Sequence, residues 1–151
     1  MTLLVLGTAM SDYLENQLVD DIWRARAWTK PTVLGHALYT AAPGETGGGT
    51  EVSGGSYARV DLPPLFSNWR GTGGETTATD SAGTGGLTDN GVIITFATPT
   101  ANWGLVTDVA QLDATSGGNF LVYGSLTTSK TINNGDDAPT FPVGDFDITL
   151  A

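Results

Sequence analysis

With 151 residues and 40% apolar content, the chain can bury a core of one-domain size and is not globally disordered; without cysteine, it holds neither a disulfide framework nor a thiolate metal site. A balance of 16 acidic to 6 basic side chains gives a net charge of −10, which repels phosphate backbones and anionic membranes and leaves nucleic acid and membrane as poor partners. The 21 glycines and 7 prolines suit a turn-rich β domain.

Met1 to Ala9 holds one apolar run, Leu3, Leu4, Val5 and Leu6, with no Lys or Arg before it. A secretory signal needs a basic start and roughly 7 to 15 apolar residues, and a membrane span about 20, so the run is neither. Residues 1–10 read as an N-terminal arm that pairs with, or packs onto, a neighbouring subunit. The alternative is a frayed appendage ahead of a natural start at Met10.

From Ser11 the apolar period becomes helical: Leu14, Leu18, Ile22 and Ala25 form one stripe, while Glu15, Asn16, Gln17, Asp20, Asp21 and Arg24 face away. Ser11 is a good N-cap, as is Asp12 with Glu15 three residues on, and Pro31 supplies the stop. The pattern predicts an amphipathic helix over residues 11–30. Trp23 and Trp28 fall partly outside the stripe and, with Arg24 and Arg26, suggest a second contact surface, because interface cores concentrate aromatics and arginine. The plainer reading is that both tryptophans widen the face packed on a sheet.

Residues 31–151 read as β throughout. Val33 to Thr40 forms a strand, Ala41 to Gly49 a loop, and Tyr57 to Leu62 a strand with Ala58, Val60 and Leu62 on one side and Tyr57, Arg59 and Asp61 on the other. Pro63-Pro64 closes it, and Leu65 to Trp69 reads as a short strand. Residues 71–91 are nearly all Gly, Thr, Ser, Ala, Asp and Asn, which predicts an exposed, mobile or partner-ordered loop between two strands of a long hairpin. Gly91 to Leu126 then predicts three consecutive antiparallel strands. In the first, Val92, Ile94 and Phe96 oppose Ile93, Thr95 and Ala97; in the second, Val106, Ala110 and Leu112 share a face interrupted by Asp108. Gly117-Gly118-Asn119 turns into the third. After the turn cluster Asn133 to Asp137, the strand Asp145 to Leu150 points Phe146, Ile148 and Leu150 inward. The sum is an all-β chain, a jelly-roll-like β-sandwich with one N-terminal helix. No repeat of 20 to 50 residues, heptad run or collagen-like period encodes a fibre shaft.

Chemistry finds little footing. His36 is the only histidine and sits inside a predicted strand, where a structural role is the common one. Asn133 to Asp137 could join Asp145 or Asp147 around calcium, but it lacks the spaced order of a calcium loop and reads as an Asn-Gly turn. The glycine runs precede no helix and carry no phosphate-loop lysine. The carboxylates sit at turns and outward positions. We therefore expect no catalytic residue, no cofactor and no metal, and hence no enzyme. A carbohydrate-binding module or sandwich hydrolase would need exposed aromatics on one concave face or a catalytic carboxylate pair, and the four tryptophans are scattered.

Met10 to Asn16, Ala37 to Pro43, Gly49 to Val60, Pro99 to Gly104 and Asn133 to Asp136 together resemble a family of small tailed-bacteriophage proteins usually labelled tail fibre protein. The resemblance runs from Met10 to the end, and Met1 to Ala9 precede the usual start. It implies a structural protein of the virion, and no catalytic residues. Two placements follow. A head decoration or cement protein would oligomerise, as a trimer by preference, and clamp the major capsid protein through helix and arm. A tail fibre component would contact tail subunits and offer loops such as 71–91 to a host receptor. The absence of a shaft repeat favours the first. Deleting Met1 to Ala9 is expected to leave the domain folded and to reduce its incorporation into particles.

Overall fold

Short runs of alternating apolar residues, separated by turn residues, make almost every element of this chain an antiparallel strand. The computed structural model describes residues 1–5 and 8–150. In chain order it contains β1 (Ala9–Met10), α1 (Asp12–Trp23), β2 (Gly35–Ala41), β3 (Thr50–Glu51), β4 (Val60–Asp61), β5 (Trp69–Arg70), β6 (Leu87–Asn90), β7 (Ile94–Thr95), β8 (Gly104–Leu112), β9 (Phe120–Ile132), β10 (Thr140–Phe141) and β11 (Asp147–Thr149). The chain is all-β with one helix among the described residues.

Six strands make the largest sheet, in the order β1-β9-β8-β2-β3, with β4 also paired to β2. Its centre is the β8–β9 hairpin. Gly117 and Gly118 take φ of +61° and +79° in the connection, and the Asp113 carboxylate accepts the Asn119 backbone N–H at 2.6 Å and its Nδ2 at 2.8 Å. The remaining strands form two smaller sheets, β10-β7 and β11-β6-β5. Leu38, Val106, Val109, Val122 and Ile132 of the large sheet pack against Ile94, Phe96, Phe141, Phe146 and Ile148 in and beside the small ones, so the main core lies between the layers. Burying each such side chain contributes about 1.5–3 kcal/mol. On the other face of the large sheet a second cluster, Ala37, Tyr39, Ala110 and Leu112, is covered by Phe120 and Tyr123.

The helix ends at Trp23, well short of the expected residue 30. The Asp20 carbonyl accepts both the Arg24 and Arg26 N–H groups at 3.2 and 3.0 Å, Ala25 takes φ +53°, and the Asp21 carboxylate accepts the Trp28 N–H at 3.0 Å. These bonds turn the chain before Pro31 is reached. The predicted stripe packs only at its start: Leu14 and Leu18 are half-buried, while Ile22 is 61% exposed.

Other boundaries shift for equally local reasons. Val92, Ile94 and Phe96 do face the core and Ile93 is exposed, but β7 pairs with β10 and not with the strand that follows it. The Pro99–Gly104 segment is held by the Gly55 and Ile132 carbonyls, and Gly104 at φ +88° feeds the chain into the other layer. In β8 the expected common face of Val106, Ala110 and Leu112 is split. Pairing steps from Val106 with Lys130 to Asp108 with Ser125, so β9 carries extra residues at this point. Val106 and Val109 then join the main core, and Ala110 and Leu112 the second cluster. Tyr57, which the alternation placed on the side of Arg59 and Asp61, packs on Phe96 and Trp103, and its hydroxyl donates to Glu51. Leu65–Asn68 is a turn, not a strand, and Leu150 is exposed, unlike its neighbours Phe146 and Ile148.

Residues 1–5 pack on their own chain. Leu3 donates to the Thr140 carbonyl at 2.6 Å, Thr140 to that of Met1 at 2.7 Å, Val5 to Asp145 at 2.9 Å, and Thr127 to Leu4 at 3.0 Å. Val5 bridges Leu126 on one side and Phe146 on the other. The segment thus lies between the irregular stretch of β9 and the C-terminal residues, joining the two layers. Leu3 and Val5 alternate into the core, at 2% and 0% exposure.

Candidate interaction surfaces

The side chains singled out from the sequence divide into three groups. Leu3 and Val5 are buried within the chain and present nothing to a neighbour, which corrects the reading of a free arm; Leu4 is half-buried, and Leu6 lies outside the described residues. Trp23, Arg24 and Arg26 cluster at the end of α1, all exposed, with both arginines 3.1 Å from the Asp20 carboxylate. Trp28 is half-buried and lines a groove with Leu14, Lys30 and Pro31, so it belongs to a different surface from Trp23.

Helix α1 is fixed at one end. The buried Ser11 hydroxyl donates to the Phe120 carbonyl and accepts the Leu14 N–H at 3.2 Å, and its own N–H donates to the Leu121 carbonyl at 2.9 Å. The rest of the helix lies over the surface with no residue fully buried, and Val19, Ile22 and Trp23, the last 72% exposed, form an apolar group at its C-terminal end. A cluster of this kind is what partner-binding surfaces present to water before assembly.

A second surface was not read from the sequence. After Pro63-Pro64, the Asn68 and Trp69 N–H groups both donate to the Leu65 carbonyl, at 2.9 and 3.1 Å, and the resulting turn leaves Leu65 and Phe66 exposed. Across from it, the Glu75 carboxylate accepts the Gly73 and Ala82 N–H groups at 3.0 and 3.1 Å, folding the Gly/Thr-rich loop back on itself. Between turn and loop is a cavity of about 450 Å³ lined by Phe66, Trp69, Arg70, Glu75, Thr79 and Ser81 among others. Leu34, Pro64, Gln111 and Ile148 also line the groove that contains Trp28, so the two depressions share a floor. The adjacent pair Leu65-Phe66 between Pro-Pro and Ser-Asn was the available signal: large apolar side chains in a turn context.

The ionisable groups inside the fold are engaged in holding it. His36 is fully buried between Trp69, stacked at 5.6 Å, and the edge-on Phe146 at 4.9 Å. Its Nδ1 donates to the Val60 carbonyl at 3.0 Å and its Nε2 accepts from Gln111 at 3.1 Å, the pattern of a neutral ring, and burial lowers its pKa to about 4. Asn90 spans the Val92, Phe141 and Pro142 carbonyls with its amide and accepts the Phe146 N–H. Asp108 accepts from the Thr107 and Ser125 hydroxyls at 2.6 and 2.7 Å. The Arg59 guanidinium meets the Glu51 carboxylate with two nitrogens, at 2.8 and 2.7 Å. The Asn133–Asp137 turn is closed by the Asp136 carboxylate, which accepts the Asn133 N–H at 2.7 Å. Among the described residues no three His, Cys, Asp or Glu side chains gather as a metal site, and no helix is long and apolar enough to cross a membrane.

No curated protein matches the chain. The protein family described as podophage GP4 fiber I protein gp80 matches it over residues 9–149, nearly its whole length, so the segments that resembled small phage virion proteins lie within one continuous match. This chain belongs to that family, and is a structural component of a tailed-phage virion.

Proposed function

We propose that the protein is a tail fibre component that docks on a neighbouring virion subunit through the exposed apolar end of α1. The observation that carries the docking surface is the placement of Val19, Ile22 and Trp23: a helix pinned at Ser11 leaves them in water beside Arg24 and Arg26. Desolvated aromatic and arginine side chains dominate the energetics of protein interfaces. The family's description supports the fibre placement. The partners in this reading are a tail subunit and further copies of the chain itself. No side chain is assigned a chemical step, and neither nucleic acid nor membrane is a partner.

Head decoration, with the major capsid protein as the partner, is the second reading. Its support is the short-stranded β domain: among the described residues no strand exceeds the 13 residues of β9, and the sequence holds no shaft-forming repeat. One experiment addresses both. Phage carrying Ile22→Glu/Trp23→Ser are expected to hold at least about tenfold fewer copies of the protein per particle, measured by quantitative mass spectrometry, than phage with the unaltered chain. Antibody-gold on unaltered virions is expected at the tail; label over the head would overturn the fibre placement, and full incorporation of the double variant would overturn the docking surface.

A further inference from the structure

We propose that the 450 Å³ cavity between the 65–68 turn and the Gly/Thr-rich loop is a saccharide-binding site. It shares no residue with α1, so it stands apart from the docking surface above.

Size comes first: sites for small ligands run to about 300–1,000 Å³, and this cavity falls in that range. Its chemistry is divided as a sugar's is. The C–H faces of a pyranose pack on aromatic rings, and Phe66, 61% exposed, and Trp69 line the cavity. Trp69 is a rigid platform, because its indole N–H donates to the Leu62 carbonyl at 3.3 Å and its ring stacks on His36. Sugar hydroxyls need fixed donors and acceptors. Each Glu75 carboxylate oxygen already accepts one backbone N–H, which sets the group in place and holds its pKa below the usual carboxylate range. Lone pairs remain on both oxygens for ligand hydroxyls. The hydroxyls of Thr77, Thr79 and Ser81 border the same space.

The alternatives fit less well. A purely apolar partner would cover the Glu75 carboxylate without pairing it, a costly desolvation. A phosphate or other anion would meet Glu75 and a chain of net charge −10, while Arg70 is engaged bidentately by Asp89. A neutral polyhydroxylated ligand satisfies both the aromatic and the acceptor groups.

The test uses the full chain. A glycan array of bacterial-surface saccharides, followed by saturation-transfer NMR on the hits, is expected to show binding that also changes tryptophan fluorescence. Phe66→Ala, at an exposed side chain, and Glu75→Gln, at a half-buried one, should each weaken it by about tenfold or more with an unchanged circular dichroism spectrum. Tetralysine serves as the cationic comparison. No binding across the array, saccharide binding untouched by both substitutions, or binding of tetralysine alone would overturn the proposal.

Discussion

Two stretches of this chain, the Leu3–Val5 run and the Val19–Trp23 end of α1, both carry large apolar side chains and meet opposite fates. The first is extended, and its backbone N–H and C=O groups find partners on residues 127, 140, 145 and 147, which carries Leu3 and Val5 into the core. The second is helical, so its backbone bonds are made internally and nothing draws its side chains inward. Apolar content alone did not decide burial; the availability of backbone partners did.

That contrast can be broken at its buried end first. Val5→Asp places a charge where no water reaches and is expected to destabilise the fold by roughly 4 kcal/mol or more, a fall in Tm of about 8–16 °C by scanning calorimetry. Deleting Met1 to Ala9, read from the sequence as harmless to folding, is expected to behave like this variant. An unchanged Tm would return the segment to the role of a free arm.

His36 lies on the buried side of the same divide and adds a pH dependence. The unfolded ring takes up a proton near pH 6.5 and the folded one only near 4, so between these values the unfolded state binds more protons. Stability from this group is complete above pH 6.5 and falls as the pH drops toward 4, by roughly 3 kcal/mol. Urea unfolding of the native chain and His36→Gln at several pH values should show that part of the slope vanish in the variant. Smaller still is Ser11→Ala. It removes the cap that ties α1 to β9 and should cost about 1 kcal/mol, with a loss of helical ellipticity. At the exposed end, Ile22→Ser and Trp23→Ser should each shift stability by less than about 0.5 kcal/mol, whatever they do to assembly.

How much of this was legible follows the same physics. Period-2 alternation correctly placed Ile94, Phe96, Phe146 and Ile148 in the core, since a strand's side-chain direction is a local property. The helix start at Ser11 was legible because a cap is defined by its immediate neighbours. The helix end was not, because it depends on Asp20 and Asp21 gathering N–H groups from residues still to come. The split face of β8 was hidden for a related reason: the extra residues that cause it belong to β9. The arm and the cavity beside Phe66 both require long-range pairing, which no window of sequence contains. Trp23, Arg24 and Arg26 were found as an exposed cluster, while Trp28 was assigned to the same surface only because the turn between them was not foreseen.

The bonds made by residues 1–5 also constrain how the molecule comes into being. The Thr140 hydroxyl donates to the carbonyl of Met1, 139 positions earlier, so this segment leaves the ribosome long before the strands that enclose it. Until translation delivers them, two greasy side chains and a row of unsatisfied amides stay uncovered, and closure is a late, slow, non-local event in biogenesis. Newly made copies are therefore most vulnerable to proteases and to cross-pairing with one another in the interval before the chain's two ends are latched.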